Sequence, residues 1–238
     1  GGAGGLGLIF AEYMARKAKV NLVLTGRSAL GPESQKRIRD IGASGSNAVY
    51  MKCDISDPAS VRELLSKIRD AYKRIDGVIH CAGVLRDSLV INKKKPEIEE
   101  VLEPKVYGTL VLDEATEDEA LDFFVMFSSF AAVSGNVGQA DYAYANSFMD
   151  HFAEMRASMV QKGMRSGKTL AVNWPLWSDG GMKAGKENET LMKERFGLLP
   201  VNSGNGARLL EYALGTGESR LAILYGNKAE IRRLVKAA

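Results

Sequence analysis

The sequence predicts an α/β protein, a Rossmann-type doubly wound parallel sheet forming a single domain over residues 1–238. Three observations predict it. Short apolar runs alternate with helical stretches from end to end. The runs are almost continuously hydrophobic, as strands covered on both faces are. The chain also opens on a glycine loop, Gly1-Gly2-Ala3-Gly4-Gly5-Leu6-Gly7, that runs straight into the helical segment Leu8-Ile9-Phe10-Ala11.

In that loop Gly2, Gly4 and Gly7 fill a G-x-G-x-x-G pattern around Gly5 and Leu6. Such glycines let the backbone turn tightly and approach a pyrophosphate, whose charge then sits on the helix N-terminus. A loop of this kind follows a strand, so the first strand of the sheet is expected upstream of Gly1. Further strands are expected at 20–24, 48–53, 77–80, 122–127, 169–174 and 221–225. Between them the pattern predicts a helix at Pro58–Tyr72, capped by Ser56 or Asp57 ahead of Pro58, and a longer one over about 139–164.

Hydrophobic residues make up 45% of the chain and the net charge is +3, which gives no basic footprint for nucleic acid. The longest basic cluster, Lys93-Lys94-Lys95, reads as a solvated loop. Cys53 and Cys81 form no C-x-x-C pair, so neither a disulfide framework nor a metal site is expected, and a cytoplasmic setting is. No apolar run is long enough for a membrane span.

Ligands of such sheets bind outside the carboxyl ends of the strands. After the 20–24 strand comes Thr25-Gly26-Arg27, where an NAD site would carry an acid; Arg27 suits a 2′-phosphate and predicts NADPH. Cys53-Asp54-Ile55 follows the next, with Asp54 either receiving an adenine amino group or capping the following helix. Cys81-Ala82-Gly83 supplies small residues beside the cofactor path.

The 122–127 strand ends in Ser128-Ser129. Tyr142 stands thirteen residues past Ser129, and Asn146 four past Tyr142, which puts both on one helix face. Lys105 lies on the preceding helical segment.

These motifs, in this order, resemble the ketoreductase domain of modular polyketide synthases, a branch of the short-chain dehydrogenase/reductase superfamily. The resemblance covers the whole chain. It takes in Gly2 through Gly7, Thr25-Gly26-Arg27, Cys53-Asp54, His80-Cys81-Ala82-Gly83, Pro104-Lys105-Val106-Tyr107-Gly108, Phe127-Ser128-Ser129, Tyr142 through Asn146, and Asn173-Trp174 with Trp177. Most of the superfamily has Tyr-x-x-x-Lys with an earlier Asn; here Asn146 follows the tyrosine and Lys105 stands earlier, as in the polyketide synthase branch.

The resemblance implies a catalytic set of Lys105, Ser129, Tyr142 and Asn146, with Tyr144 left to packing. Tyr142 would act as general acid, its phenol pKa lowered by a cationic Lys105 together with the positive nicotinamide product, while Ser129 holds the carbonyl oxygen and Asn146 orients the lysine or a water. It implies NADPH-dependent reduction of a β-ketoacyl, or α-ketoacyl, thioester on an acyl carrier protein. The partners are that carrier protein and neighbouring synthase domains. Stand-alone reduction of free ketones and an inactive structural domain are the alternatives.

The stretch 177–200 resembles the family's lid, with a short helix near 190–196 and a hinge at Gly180-Gly181-Met182. Leu85-Arg86-Asp87 resembles the L-x-D signature of B-type enzymes, which give the D (R) hydroxyl. Arg86 replaces the usual acid there, and Pro175 stands where glycine is common. Asp87, Trp177 and Met182 are therefore the residues expected to govern substrate placement and stereochemistry.

Overall fold

Every strand pair is parallel, and the sheet comes in two parts. The computed structural model describes residues 1–179 and 186–237. In chain order its elements begin α1 (Gly5–Lys17), β1 (Asn21–Gly26), α2 (Pro32–Ala43), β2 (Asn47–Lys52), α3 (Pro58–Tyr72) and β3 (Gly77–His80). Next come α4 (Lys95–Leu102), α5 (Gly108–Ala115), β4 (Phe123–Ser129), α6 (Ala131–Ser134), α7 (Ala140–Gln161) and β5 (Lys168–Trp174). The chain continues through α8 (Lys186–Phe196), α9 (Ser203–Leu214), β6 (Arg220–Ala222) and α10 (Lys228–Ala237).

Strands β1 and β2 pair with each other, and β3-β4-β5-β6 form the larger part. Between β1 and β3 lies a cleft of about 560 Å³ lined by residues of both strands, with Gly1, Gly2 and Gly7 also on its wall. This is where the strand expected ahead of the glycine loop would fit.

The period-two alternation of β4 decides which helices pack where. Phe124 and Met126 face a core shared with Val61, Leu64 and Leu65 of α3, Leu112 of α5 and Met149, Phe152 and Ala153 of α7. Val125 and Phe127 face the other way, onto Ile9 and Phe10 of α1 and Ala207, Leu210 and Ala213 of α9. Helices thus cover both faces, which is why the strand sequences are apolar throughout.

Local signals set most boundaries. Asp57, rather than Ser56, caps α3, accepting from the amides of Ala59 and Ser60 at 3.1 Å each. Helix α7 stops at Gln161, short of the expected 164, because Gly163 turns left-handed at φ 71°. The last strand is shorter than expected. After Ala222 the chain turns away, and the Tyr225 carbonyl accepts from Leu199 while Gly226 bridges to Leu198. Helix α8 starts earlier than expected, at Lys186. Among the described residues no helix is long and apolar enough to cross a membrane.

Candidate active site

The glycine loop packs against the end of β1, the Ala3 amide reaching the Thr25 carbonyl. A Cβ on Gly2 would lie 3.0 Å from the Thr25 nitrogen, and one on Gly7 would lie 2.4 Å from the Gly2 carbonyl oxygen. The Gly7 position therefore requires glycine, and any side chain at Gly2 would press on the backbone of β1. Gly4 is the N-cap of α1, with no side-chain cap and no acidic residue in the first turn, so the helix's free amides face outward beside Gly5 and Leu6. That cradle fits a pyrophosphate, the group the sequence predicts there.

The flanking positions line up at the same carboxyl edge. Arg27 is exposed just past β1. Asp54 leaves the capping of α3 to Asp57 and accepts from the Ser56 amide at 3.0 Å through one oxygen. The Ile55 side chain is core, 7% exposed and packed against Gly108. Cys81, Ala82 and Gly83 follow β3, and Gly83 has a reason beyond ligand approach: a Cβ there would meet Lys105 Cε at 2.9 Å.

Lys105 sits on a π-turn, Glu103–Tyr107, between α4 and α5. Pro104 has no N–H to give the preceding turn, so the helix widens and the Gly108 amide reaches back to the Glu103 carbonyl. The Thr109 hydroxyl satisfies the Lys105 carbonyl at 2.6 Å. The wide turn carries Lys105 inward to 3% exposure, where Nζ donates to the Phe127 carbonyl at 2.9 Å and lies 5.5 Å from the Tyr142 ring centroid.

Tyr142, in the first turns of α7, is 9% exposed. The Ser129 hydroxyl and the Asn146 amide both stand close enough to its phenol to favour the ionised form. Four expected side chains from three separate stretches therefore converge. Asn146 is wholly buried; its Nδ2 donates to the Tyr142 carbonyl at 2.7 Å, while its Oδ1 has no partner.

The electrostatics differ from the sequence expectation. Burial raises the Tyr142 phenol more than its neighbours lower it. Burial also pulls the Lys105 ammonium down to about 7, against which Cys81 and Asp150 push upward. A lysine half-stripped of its charge cannot hold the phenol low, so the expected depression of the tyrosine is not what burial produces here. His80, likewise enclosed and beside Lys105, is pushed down to about 3 and stands neutral.

Behind the four lies a polar brace whose importance went unread in the sequence. Asn173 Nδ2 reaches Asp150 Oδ2 at 2.7 Å, Ser128 Oγ at 2.9 Å and the Ser129 carbonyl at 3.2 Å. Ser128 in turn donates to the Asn146 carbonyl at 3.2 Å. The brace ties the ends of β4 and β5 to α7. Asp150 was findable: it lies four residues past Asn146, on the same helical face.

Several expectations need correction. Trp177 is 8% exposed and packs among Trp174 at 5.0 Å and Phe10 at 5.7 Å, so its position is core rather than substrate-facing. Tyr144, expected to pack, is 63% exposed because it projects from the solvent side of α7. Lys93 is not solvated; its side chain is 1% exposed in an ion pair with Asp141. Asp87 is exposed, and its carboxylate accepts from Gln139 at 2.9 Å. Met182 and the Gly180-Gly181 hinge lie outside the described residues.

Comparison with known proteins places this arrangement. The chain is 42% identical over 233 residues to the polyketide synthase PksN of Bacillus subtilis (strain 168), a match covering 98% of the chain and 4% of that protein. It is 38% identical to the polyketide synthase ThaG of Burkholderia thailandensis, over 97% of the chain and again 4% of the relative. The chain thus spans about one twentieth or less of the length of these relatives. Among solved structures, a ketoreductase domain from the bacillaene assembly line superposes with a TM-score of 0.95 at 40% identity, covering 98% of this chain and 56% of that one. A short-chain dehydrogenase from Burkholderia cenocepacia shares the fold, with a TM-score of 0.82 at 19% identity over 95% of this chain and 94% of its own. A family model described as KR domain matches residues 1–179, and the chain belongs to that family, the ketoreductase domains of polyketide synthases.

Proposed function

We propose that the chain reduces a ketoacyl thioester, carried on the phosphopantetheine arm of an acyl carrier protein, to the hydroxyacyl thioester, using NADPH. The β-ketoacyl thioester is the favoured substrate. The single observation that supports the reading is the meeting of Tyr142, Ser129, Asn146 and Lys105 at the carboxyl edge of the sheet, next to the glycine cradle.

The dinucleotide would lie across Gly2, Gly4, Gly5, Leu6 and Gly7, with Arg27 toward the 2′-phosphate, Asp54 toward the adenine, and Cys81, Ala82 and Gly83 along its path. The nicotinamide supplies a hydride when bound. The chain's own residues handle the oxygen. Ser129 donates to the substrate carbonyl and stabilises charge developing there. Tyr142 donates its proton to the same oxygen as general acid. Burial keeps that proton on the phenol until the oxygen needs it. Lys105, held to the Phe127 carbonyl 5.5 Å from the phenol ring centroid, favours phenolate as the proton leaves only in the fraction that keeps its charge. Asn146 donates to the backbone carbonyl of Tyr142 and keeps its amide oxygen without a protein partner. Asp87, exposed beside the first turn of α7, fits the stereocontrol role its motif implies.

The test is NADPH oxidation by the purified chain with β-ketoacyl thioesters, carrier-bound and free, and chiral resolution of the product. Faster turnover of the carrier-bound substrate to the R alcohol is the expected result. Cofactor binding without turnover of any thioester would instead leave an inactive structural domain. Arg27→Ala should weaken NADPH by about 1.5–3 kcal/mol, the usual worth of a hydrogen bond to a charged group, and leave NADH nearly unchanged. An equal loss for both cofactors would remove Arg27 from the 2′-phosphate.

A further inference from the structure

Outside the four convergent side chains, one buried ion pair stands beside the site with no part in the chemistry above. Lys93 Nζ lies 2.6 Å from Asp141 Oδ2, and the two side chains are 1% and 4% exposed. The pair joins positions 48 apart in the chain, so it is a tertiary pin and not a local helix contact. The same ammonium donates to the Arg86 carbonyl, in the middle of Leu85-Arg86-Asp87. The second oxygen of Asp141 accepts from the Tyr142 amide at 2.9 Å. One lysine therefore links the backbone of the 85–87 segment to the residue next to the proposed general acid.

Two weaker ties run alongside. Gln139 Nε2 donates to Asp87 at 2.9 Å, and the Ser88 amide to the Gly138 carbonyl at 2.9 Å. Both are exposed at one end or made by loop backbone, and neither carries charge on both sides. Lys93 and Asp141 pay the desolvation of two ions, a cost that good geometry offsets and that returns a fixed register.

We propose that Lys93 and Asp141 are positioning residues that clamp residues 85–93 onto the first turn of α7, fixing which face of the ketone meets Tyr142. The clamp rests on the reductase reading. Lys93 touches no reacting atom; it acts through Asp141 and the Arg86 backbone.

The experiment compares Lys93→Met, Lys93→Arg and Asp141→Asn in the whole chain. It measures kcat, KM, product enantiomer ratio, NADPH affinity and hydrogen exchange at the Ser88 amide. Lys93→Met should lower kcat by about 10–100-fold, the penalty of slight misplacement at a reacting centre. It should also raise the minor enantiomer, speed Ser88 exchange and leave NADPH affinity unchanged. Lys93→Arg should restore most of each loss. If Lys93→Met does not fold, Asp141→Asn, which keeps an acceptor for the Tyr142 amide, carries the same criteria. A folded variant with unaltered kcat, enantiomer ratio and Ser88 exchange overturns the clamp, as does a loss confined to NADPH affinity. Should the unmodified chain oxidise no NADPH with any thioester, the reductase reading fails, and the exchange rates alone decide whether the clamp exists.

Discussion

Tyr142 and Lys105 are both ionisable groups taken out of water, and burial moves them in opposite directions, the phenol up and the ammonium down to about 7. For the phenol this means a proton retained at neutral pH, on an acid weaker than the same group in water. Tyr142→Phe should cut turnover by ~10²–10⁴, the usual contribution of a positioned general acid. NADPH affinity should persist, and near-normal turnover in the variant would contradict the role. For the lysine, charge is lost as pH rises through about 7 in the free enzyme, so kcat/KM for reduction should fall above that point. Stability should move the other way. The unfolded chain keeps this proton up to the ordinary value of 10.5, so between about 7 and 10.5 it binds more protons than the folded chain, and folding gains with pH. That gain is present above 10.5 and lost as pH falls through about 7. Thermal unfolding across this range, with Lys105→Met as the flat reference, checks the sign. Tyr142 and Asn146 were legible in the sequence because four-residue spacing on a helix is a local fact. The lysine's depressed value was not, since it arises from strands and loops far along the chain closing over it.

At the scale of an element, the segment from α4 through the π-turn to α5 is one helical run interrupted at Pro104. Pro104, Lys105, Gly108 and Thr109 all face inward across the interruption. The helix type of this segment was readable from its pattern, and the proline was the visible sign of an irregularity. The widened turn itself was not readable, because a proline equally marks a kink or an end. Pro104→Ala restores an N–H and permits an ordinary α-turn, which would swing Lys105 off the Phe127 carbonyl. The variant should keep or raise its melting temperature while kcat falls by about 10-fold or more, as for other losses of geometry at a reacting centre. Activity equal to the parent would mean that packing by Gly83 and Ile55, rather than the turn, places the lysine. Strand identity was legible for a different reason, the short and almost continuously apolar runs between helical stretches. The early end of β6 was not, since it depends on Tyr225 pairing with a segment some 26 residues earlier.

Across the whole molecule, the order β2-β1, cleft, β3-β4-β5-β6 leaves the inner edges of β1 and β3 without ladder partners among the described residues. Leu22, Val23 and Leu24 line one side, Val78 and Ile79 the other, with Phe10 and Ala11 of α1 and Leu64, Leu65 and Ile68 of α3 among the remaining lining residues. Apolar walls and two parallel edges are the requirements of a buried strand of β-branched residues. The glycine loop alone pointed to such a strand. The size and lining of the gap could come only from the folded chain. An apolar strand of about six residues, joined through a continuous backbone to Gly1, would enter parallel to both edges and satisfy their open amides and carbonyls. Each Val or Ile it buries contributes ~1.5–3 kcal/mol, against a backbone ordering cost of ~1–2 kcal/mol per residue. With the new ladder bonds added, a net gain near 2 kcal/mol is expected, which for a domain of this size raises the melting temperature by roughly 4–8 °C. A version carrying Val-Leu-Ile-Thr-Val-type residues ahead of Gly1 should therefore melt later and in one sharper transition. The same length with a proline at its centre should melt as the original does. If both extensions behave alike, the cleft does not accept a strand, and the two parts of the sheet are stable without one.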